Sequence, residues 1–210
     1  RDLSVISAPF NYTTPGKNLK GIRIGYLKTE FDKTYANHKN DSISLAKLKD
    51  LGAELVPIEI PEMPYGDMTI VLSAEAGAAF DELTLSNRDD LLVKQDKNAW
   101  PNAFRSARFI PAVEYIQANR ARSLLIQRFQ QIMKGIDLYI APSFSPNLTA
   151  TNLSGHPCVV LPNGFTKEGR PTSITFTGQL FGEGKLLQVA YVYQRSTTFN
   201  QKHPSMNFKF

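Results

Sequence analysis

Pro157 to Leu161 is a continuous apolar run, ended by Pro162 and the turn pair Asn163-Gly164, and it constrains the chain more than any other stretch. A run this short with no polar alternation reads as a strand buried on both faces, so a sheet must be built around it. A hairpin follows. From Thr172 the sequence alternates, with Ile174 and Phe176 on one face and Ser173, Thr175 and Thr177 on the other, while Gly164 and Gly169 supply the loop. Leu186, Val189, Ala190 and Tyr193 then recur at helical spacing, and Glu183 sits where the unpaired amides of a first turn favour a carboxylate. Burying Ile174, Phe176, Leu186 and Val189 contributes roughly 1.5–3 kcal/mol each, against about 1–2 kcal/mol per residue for ordering the backbone. Such a unit cannot stand alone and must be a piece of a larger sheet.

Upstream, residues 1 to 20 carry Pro9, Pro15 and Gly16 among polar residues and read as a loop leading into the fold. Gly21 to Leu27 alternates, with Ile22, Ile24 and Tyr26 on one face, and is expected to be a strand. A helix follows, capped by Asp41 or Ser42, with Ile43, Leu45, Leu48 and Leu51 on its apolar side and Gly52 where helices stop. The strand Glu54 to Ile60 completes a βαβ unit with parallel strands, and Pro57, which cannot donate to a ladder, puts that strand near a sheet edge. Asp67 to Leu83 reads as a helix whose Ala74, Gly77 and Ala78 make one side thin enough to lie close to a neighbour. From Ser86 to Arg108 the sequence turns polar and reads as the longest irregular stretch, in which Trp100 and Phe104 either pack on the surface or cover the mouth of a pocket. Pro111 opens a long helix with Val113, Ile116, Leu124, Phe129, Ile132 and Met133 on its buried side, and Gly135 closes it. Asp137 to Ala141 is expected as a strand and Pro142 to Pro146 as a rigid loop. These elements make one unit, residues 1–210, of the α/β class, with helices packed on a mixed sheet.

With 42% hydrophobic and 20% charged residues over 210 positions, the composition is that of a globular domain with one sizeable core. The net charge of +5 permits weak attraction to acidic partners, but no basic run with interleaved aromatics marks a nucleic-acid surface. The most apolar window, Ile70 to Phe80, is short and broken by Glu75, so no membrane span is expected. Cys158 is alone, which leaves neither a disulfide framework nor a thiolate metal cluster, and its apolar neighbours predict a buried, inert thiol. His38, His156 and His203 are scattered with no metal-ligand spacing, and neither glycine fingerprint for a phosphate or dinucleotide occurs, so no cofactor is implied.

Ser143, Ser145, Ser154 and Ser173 lie in the sequence neighbourhood of His156. In an extended chain Ser154 and His156 would stand about 6–7 Å apart, too far for a nucleophile-base hydrogen bond, so His156 reads as structural. The carboxylate pairs Asp81-Glu82 and Asp89-Asp90 read as solvated surface, and Arg120, Arg122 and Arg128 as the outer face of a helix. Sequons at Asn11, Asn40, Asn147 and Asn152 read as chance. The chain opens on Arg1-Asp2 without a signal peptide, which fits an excised or processed segment, cytoplasmic or, if a signal peptide has been removed, secreted.

The order Asn152, Gly155-His156-Pro157, Leu161-Pro162-Asn163-Gly164, Gly169-Arg170-Pro171 and Gly178 before Glu183-Gly184-Lys185-Leu186-Leu187 resembles the C-terminal part of amidase signature enzymes. Arg120-Ala121-Arg122 through Asp137-Leu138-Tyr139-Ile140-Ala141-Pro142 resembles that family's helix followed by a strand ending in Pro. The close part of the likeness covers about half of the chain. It implies part of an amidase signature fold and an amidase that cleaves carboxamide C–N bonds with two serines and a lysine. The Gly/Ser-rich segment that carries the nucleophile in the family is absent here, so the resemblance puts every catalytic residue upstream of Arg1 and predicts that this chain alone is inactive. It also implies that Asn152, Gly155 and His156 border the acyl cleft and bind a small-molecule amide, a loop-to-strand turn being the alternative for each. Thr175 stands where the family commonly has glutamine and Ser173 where it commonly has glycine. Two other functions stay open: the A subunit of a glutamyl-tRNA(Gln) amidotransferase, which works with a partner subunit, and a non-catalytic binding module. The partner expected for the apolar run is the upstream half of the same protein, or a second copy by self-association.

Overall fold

The computed structural model describes residues 6–10, 12–13 and 16–202; Asn11, Pro15 and His203 lie outside the described residues. In chain order the elements are β1 (Arg23–Leu27), α1 (Lys28–Asp32), α2 (His38–Asp50), β2 (Glu54–Ile58), α3 (Tyr65–Met68), α4 (Ile70–Ala79), α5 (Asp81–Leu85), α6 (Trp100–Ala107), α7 (Ala112–Ile132), β3 (Leu138–Pro142), α8 (Asn147–Ser154), β4 (Cys158–Phe165), β5 (Pro171–Gly178) and α9 (Glu183–Arg195), with single 3₁₀ turns at Arg88–Leu91 and Phe199–Gln201. The described chain divides into two compact units, one running up to Ile60 and resuming at Phe129, the other Pro61–Arg128. No helix among the described residues is long and apolar enough to cross a membrane.

The first unit holds a mixed five-stranded sheet in the order β2-β1-β3-β5-β4. β1 pairs parallel with β2 and β3, while β5 pairs antiparallel with β3 and β4. As the alternation requires, Ile174 and Phe176 turn to one face, where they join Ile24, Leu138, Ile140 and Leu161 and are covered by Leu48 of α2 and by Leu186, Val189, Ala190 and Tyr193 of α9. Ile174 and Phe176 are wholly buried, and burial of this kind contributes roughly 1.5–3 kcal/mol per side chain. Pro57 sits on β2, an edge strand, where its missing N–H costs no ladder bond.

Three features of this unit differ from expectation. Asp41 does not cap α2, which begins at His38; its carboxylate is buried inside the helix and accepts from Tyr35 Oη at 2.9 Å and Asn163 Nδ2 at 2.6 Å. Asn163-Gly164 is not the hairpin turn, because β4 runs on to Phe165 through an irregularity between Pro162 and Gly164, and the chain reverses at Thr166 to Gly169. Asn163 is drawn inward because its amide joins α2 to β5, also accepting from Thr172 Oγ1 at 2.8 Å. Finally, β4 is not buried on both faces: it is the outermost strand, with Cys158 and Val160 exposed and Leu161 buried, since the helices α2 and α9 cover only one side of it.

The second unit is helical. The single helix expected from Asp67 to Leu83 is three consecutive pieces, α3, α4 and α5. Its thin side is real, for a methyl group built on Gly77 would stand 2.7 Å from Ala107 Cβ of α6. The stretch expected to be irregular contains α6, whose Arg105 pairs with buried Asp89 and, at 3.1 Å, with Asp90; Asp89 is thus a buried anchor for the helix and not solvated surface, while Asp90 is exposed as expected. Phe104 is buried and stacks on Phe80 at 4.9 Å and on half-exposed Trp100 at 5.5 Å, which bears out packing for both aromatics. Phe129 and Met133 at the end of α7 are buried as expected, whereas Val113, Ile116 and Leu124 are exposed and Ala118 and Leu125 are buried in their place.

Candidate functional site

The face of the sheet opposite to α9 carries the side chains that alternation set apart as polar. Ser173 and Thr175 of β5 point there, Thr175 lies beside Val160 of β4 in register, and Thr177 lies beside Cys158. α8 closes this face into a crevice of about 140 Å³, lined by Pro142, Ser143 and Phe144 from the end of β3, by Asn147, Leu148, Thr151 and Asn152 from α8, and by Cys158, Val160, Ser173 and Thr175 from the hairpin. Ser143 Oγ lies 2.9 Å from Thr175 Oγ1 and accepts from Ser173 Oγ at 3.1 Å, so three hydroxyls form one connected row. Tyr139 Oη donates to Asn147 Oδ1 at 2.6 Å, and Thr151 Oγ1 to the Asn147 carbonyl at 3.0 Å, which ties α8 down on β3. At the crevice mouth Phe144 is exposed with φ of 66°, a conformation that side chains rarely adopt.

The helix α8 was absent from the expectations, although Ala150, Leu153 and Ser154 at helical spacing before Gly155 carried its signal. Gly155 stops it in the left-handed region with φ of 77°, donating its N–H to the Thr151 carbonyl at 2.8 Å. That reversal overturns the distance expected between Ser154 and His156. The chain there is curled, not extended, and Ser154 Oγ stands 2.8 Å from His156 Nδ1. Both residues are over nine-tenths buried, at 4% and 7% exposure. His156 packs against the Phe129 ring at 4.9 Å between centroids, and burial lowers its pKa from the ordinary 6.5, so the ring is neutral at pH 7. A hydroxyl held by a neutral imidazole is the start of a nucleophilic pair, but among the described residues no carboxylate is bonded to the ring, and neither residue lines the crevice. The pair fixes the turn. Ser143, Ser145 and Ser173 do not meet His156.

Of the three residues expected to bind substrate, Asn152 is exposed on the crevice wall, Gly155 is exposed at the turn, and His156 is buried behind it. The thiol expected to be buried is instead exposed: Cys158 lies on the edge strand, its Sγ 3.4 Å from Thr177 Oγ1, because the face it shares with Val160 is the crevice. Thr175 was missed as a site residue, and Ser143 and Ser173 were weighed only as partners of His156; the signal for Ser173 and Thr175 was the period-two pattern that set them on one face of β5. No group of three or more His, Cys, Asp or Glu among the described residues is placed to hold a metal ion.

No protein-family model matches the chain. Among similar proteins, the A subunit of the glutamyl-tRNA(Gln) amidotransferase of Prochlorococcus marinus (strain NATL2A) is 27% identical over 97% of this chain and 51% of its own length. An amidase of Pseudomonas putida is 25% identical over 91% of this chain and 46% of its own length. The chain thus spans about half the length of the relatives it matches. Among solved structures, a bacterial aryl acylamidase of the amidase signature enzymes superposes with a TM-score of 0.69 over 88% of this chain and 45% of its own, at 14% identity, so what the two share is the fold. Along nearly its whole length the chain is thus similar in sequence to amidotransferase A subunits and amidases, and it shares the fold of part of an amidase signature enzyme.

Proposed function

We propose that this chain is the substrate-facing, C-terminal portion of an amide hydrolase whose nucleophilic serine, second serine and lysine lie in sequence upstream of Arg1. In that scheme the serine Oγ attacks the amide carbonyl carbon, backbone amides hold the developing oxyanion, and the second serine and lysine pass the proton to the leaving nitrogen; water then releases the acyl group. Asn152 and the backbone of Gly155 contact the small-molecule amide, and His156 with Ser154 holds their turn in place.

The observation that carries this reading is the outer edge of β4. β2, at the other end of the sheet, has the features of a permanent edge, with Pro57 in the strand and Glu54 exposed. β4 has neither in its first four residues. Cys158-Val159-Val160-Leu161 presents an unpaired apolar strand beside the crevice, in a chain half as long as its relatives, which supports pairing with a strand from the missing length. The names of several relatives favour a second reading, the A subunit of a glutamyl-tRNA(Gln) amidotransferase.

Assay of the 210-residue chain and of a form extended upstream, both against a chromogenic anilide, tests the proposal. Turnover is expected from the extended form alone. Turnover by the short chain, lost on Ser143→Ala or Ser154→Ala, would place the chemistry here and overturn it.

A further inference from the structure

We propose that the crevice between α8 and the β4–β5 face is a recognition subsite for an uncharged carboxamide carried on a group no larger than one aromatic ring, and that it rejects carboxylates and amidinium ions of the same shape. The identification of the ligand as an amide rests on the amide-hydrolase reading; the selection for neutrality rests on the walls themselves.

The walls hold no Asp, Glu, Lys, Arg or His among the described residues. A charged group entering would lose hydration with no opposite charge to meet it, and burying an unpaired ion costs far more than burying a paired dipole. What the walls do hold is a row of hydroxyls. Ser173 spends its O–H on Ser143, and Ser143 and Thr175 share another, which leaves the row one O–H donor and a surplus of lone pairs. Exposed Asn152 adds an amide at the rim. A primary carboxamide brings two N–H donors and one carbonyl acceptor, the complement of that inventory. A carboxylate brings acceptors only, against a wall already rich in them. An amidinium finds acceptors but no counter-charge.

The rest of the lining is apolar. Pro142, Leu148, Phe144 and Val160 offer carbon surface, and Val160 remains 57% exposed and available to a ligand. The space of about 140 Å³ is close to the roughly 150 Å³ apolar cavity known to take up benzene, so one ring or a short alkyl chain fills it.

Benzamide, benzoate and benzamidine share one shape and differ in charge, and Cys158, the chain's single cysteine, stands on the crevice wall as a built-in reporter. The test is the rate at which a small neutral maleimide labels Cys158 in the 210-residue chain, at concentrations where it sediments as a monomer, with each probe added in turn. Benzamide is expected to slow labelling, with benzoate and benzamidine at least roughly tenfold weaker, and Thr175→Val is expected to weaken benzamide by about tenfold, the loss that one unmade hydrogen bond implies. Val160→Trp, which fills the space and leaves all three hydroxyl side chains in the sequence, should abolish protection by benzamide. Equal or better protection by either ion, benzamide protection indifferent to both variants, or no protection by any probe would each overturn the proposal. The outcome is separable from the amide-hydrolase reading, which stands or falls on turnover of an anilide by the extended form.

Discussion

Gly155 sets the geometry at one end of the crevice, since its left-handed backbone lets α8 end and the chain reverse within a single residue. A side chain there is strained, and Gly155→Ala is expected to cost about 1–2 kcal/mol of stability by urea unfolding. The reversal buries His156, and burial sets a pH dependence. The folded-state pKa lies below the ordinary 6.5, so between those two values the unfolded chain binds more protons and stability rises with pH. The contribution is complete above 6.5 and is lost as pH falls toward the folded value. Urea unfolding across this range should show that slope, and His156→Gln should remove its His156 component; a slope identical in the variant would contradict a buried neutral ring. None of this was legible from the two-residue spacing of Ser154 and His156, because spacing converts to distance only once the backbone conformation between them is known.

At the scale of elements, what local periodicity writes was readable: the β1-α2-β2 unit, the hairpin, the face assignments of β5 and the buried side of α9. What depends on the covering neighbour was not. The first two-thirds of α7 bury Ala118 and Leu125 rather than Val113, Ile116 and Leu124, and α8 hides behind a Thr- and Asn-rich sequence that resembles a loop. β4 is the instructive case, for its unbroken apolar run is suited to burial on both faces, yet in this chain one edge is unpaired and Val160 is exposed. An edge of this composition recruits another strand. A single inward-facing charge should deter that: Val160→Lys is expected to weaken self-association of the chain by at least roughly tenfold while changing its stability by under about 0.5 kcal/mol. Sedimentation at several concentrations measures the first and urea unfolding the second. Unchanged self-association would exclude the β4 face as the contact.

For the molecule as a whole, the proposed function requires the sheet to continue past β4 into sequence that the relatives have and this chain does not span. Along an antiparallel strand, successive N–H groups alternate between the partner strand and the far side, so a strand paired on one edge protects every second amide and a strand paired on both protects all. Residue-resolved hydrogen exchange over Cys158, Val159, Val160 and Leu161 therefore reads the pairing directly. In the monomeric 210-residue chain protection is expected to alternate along these residues, and in the form extended upstream all four should be protected. Alternation that persists in the extended form, or full protection already present in the monomer, would contradict a sheet shared across β4.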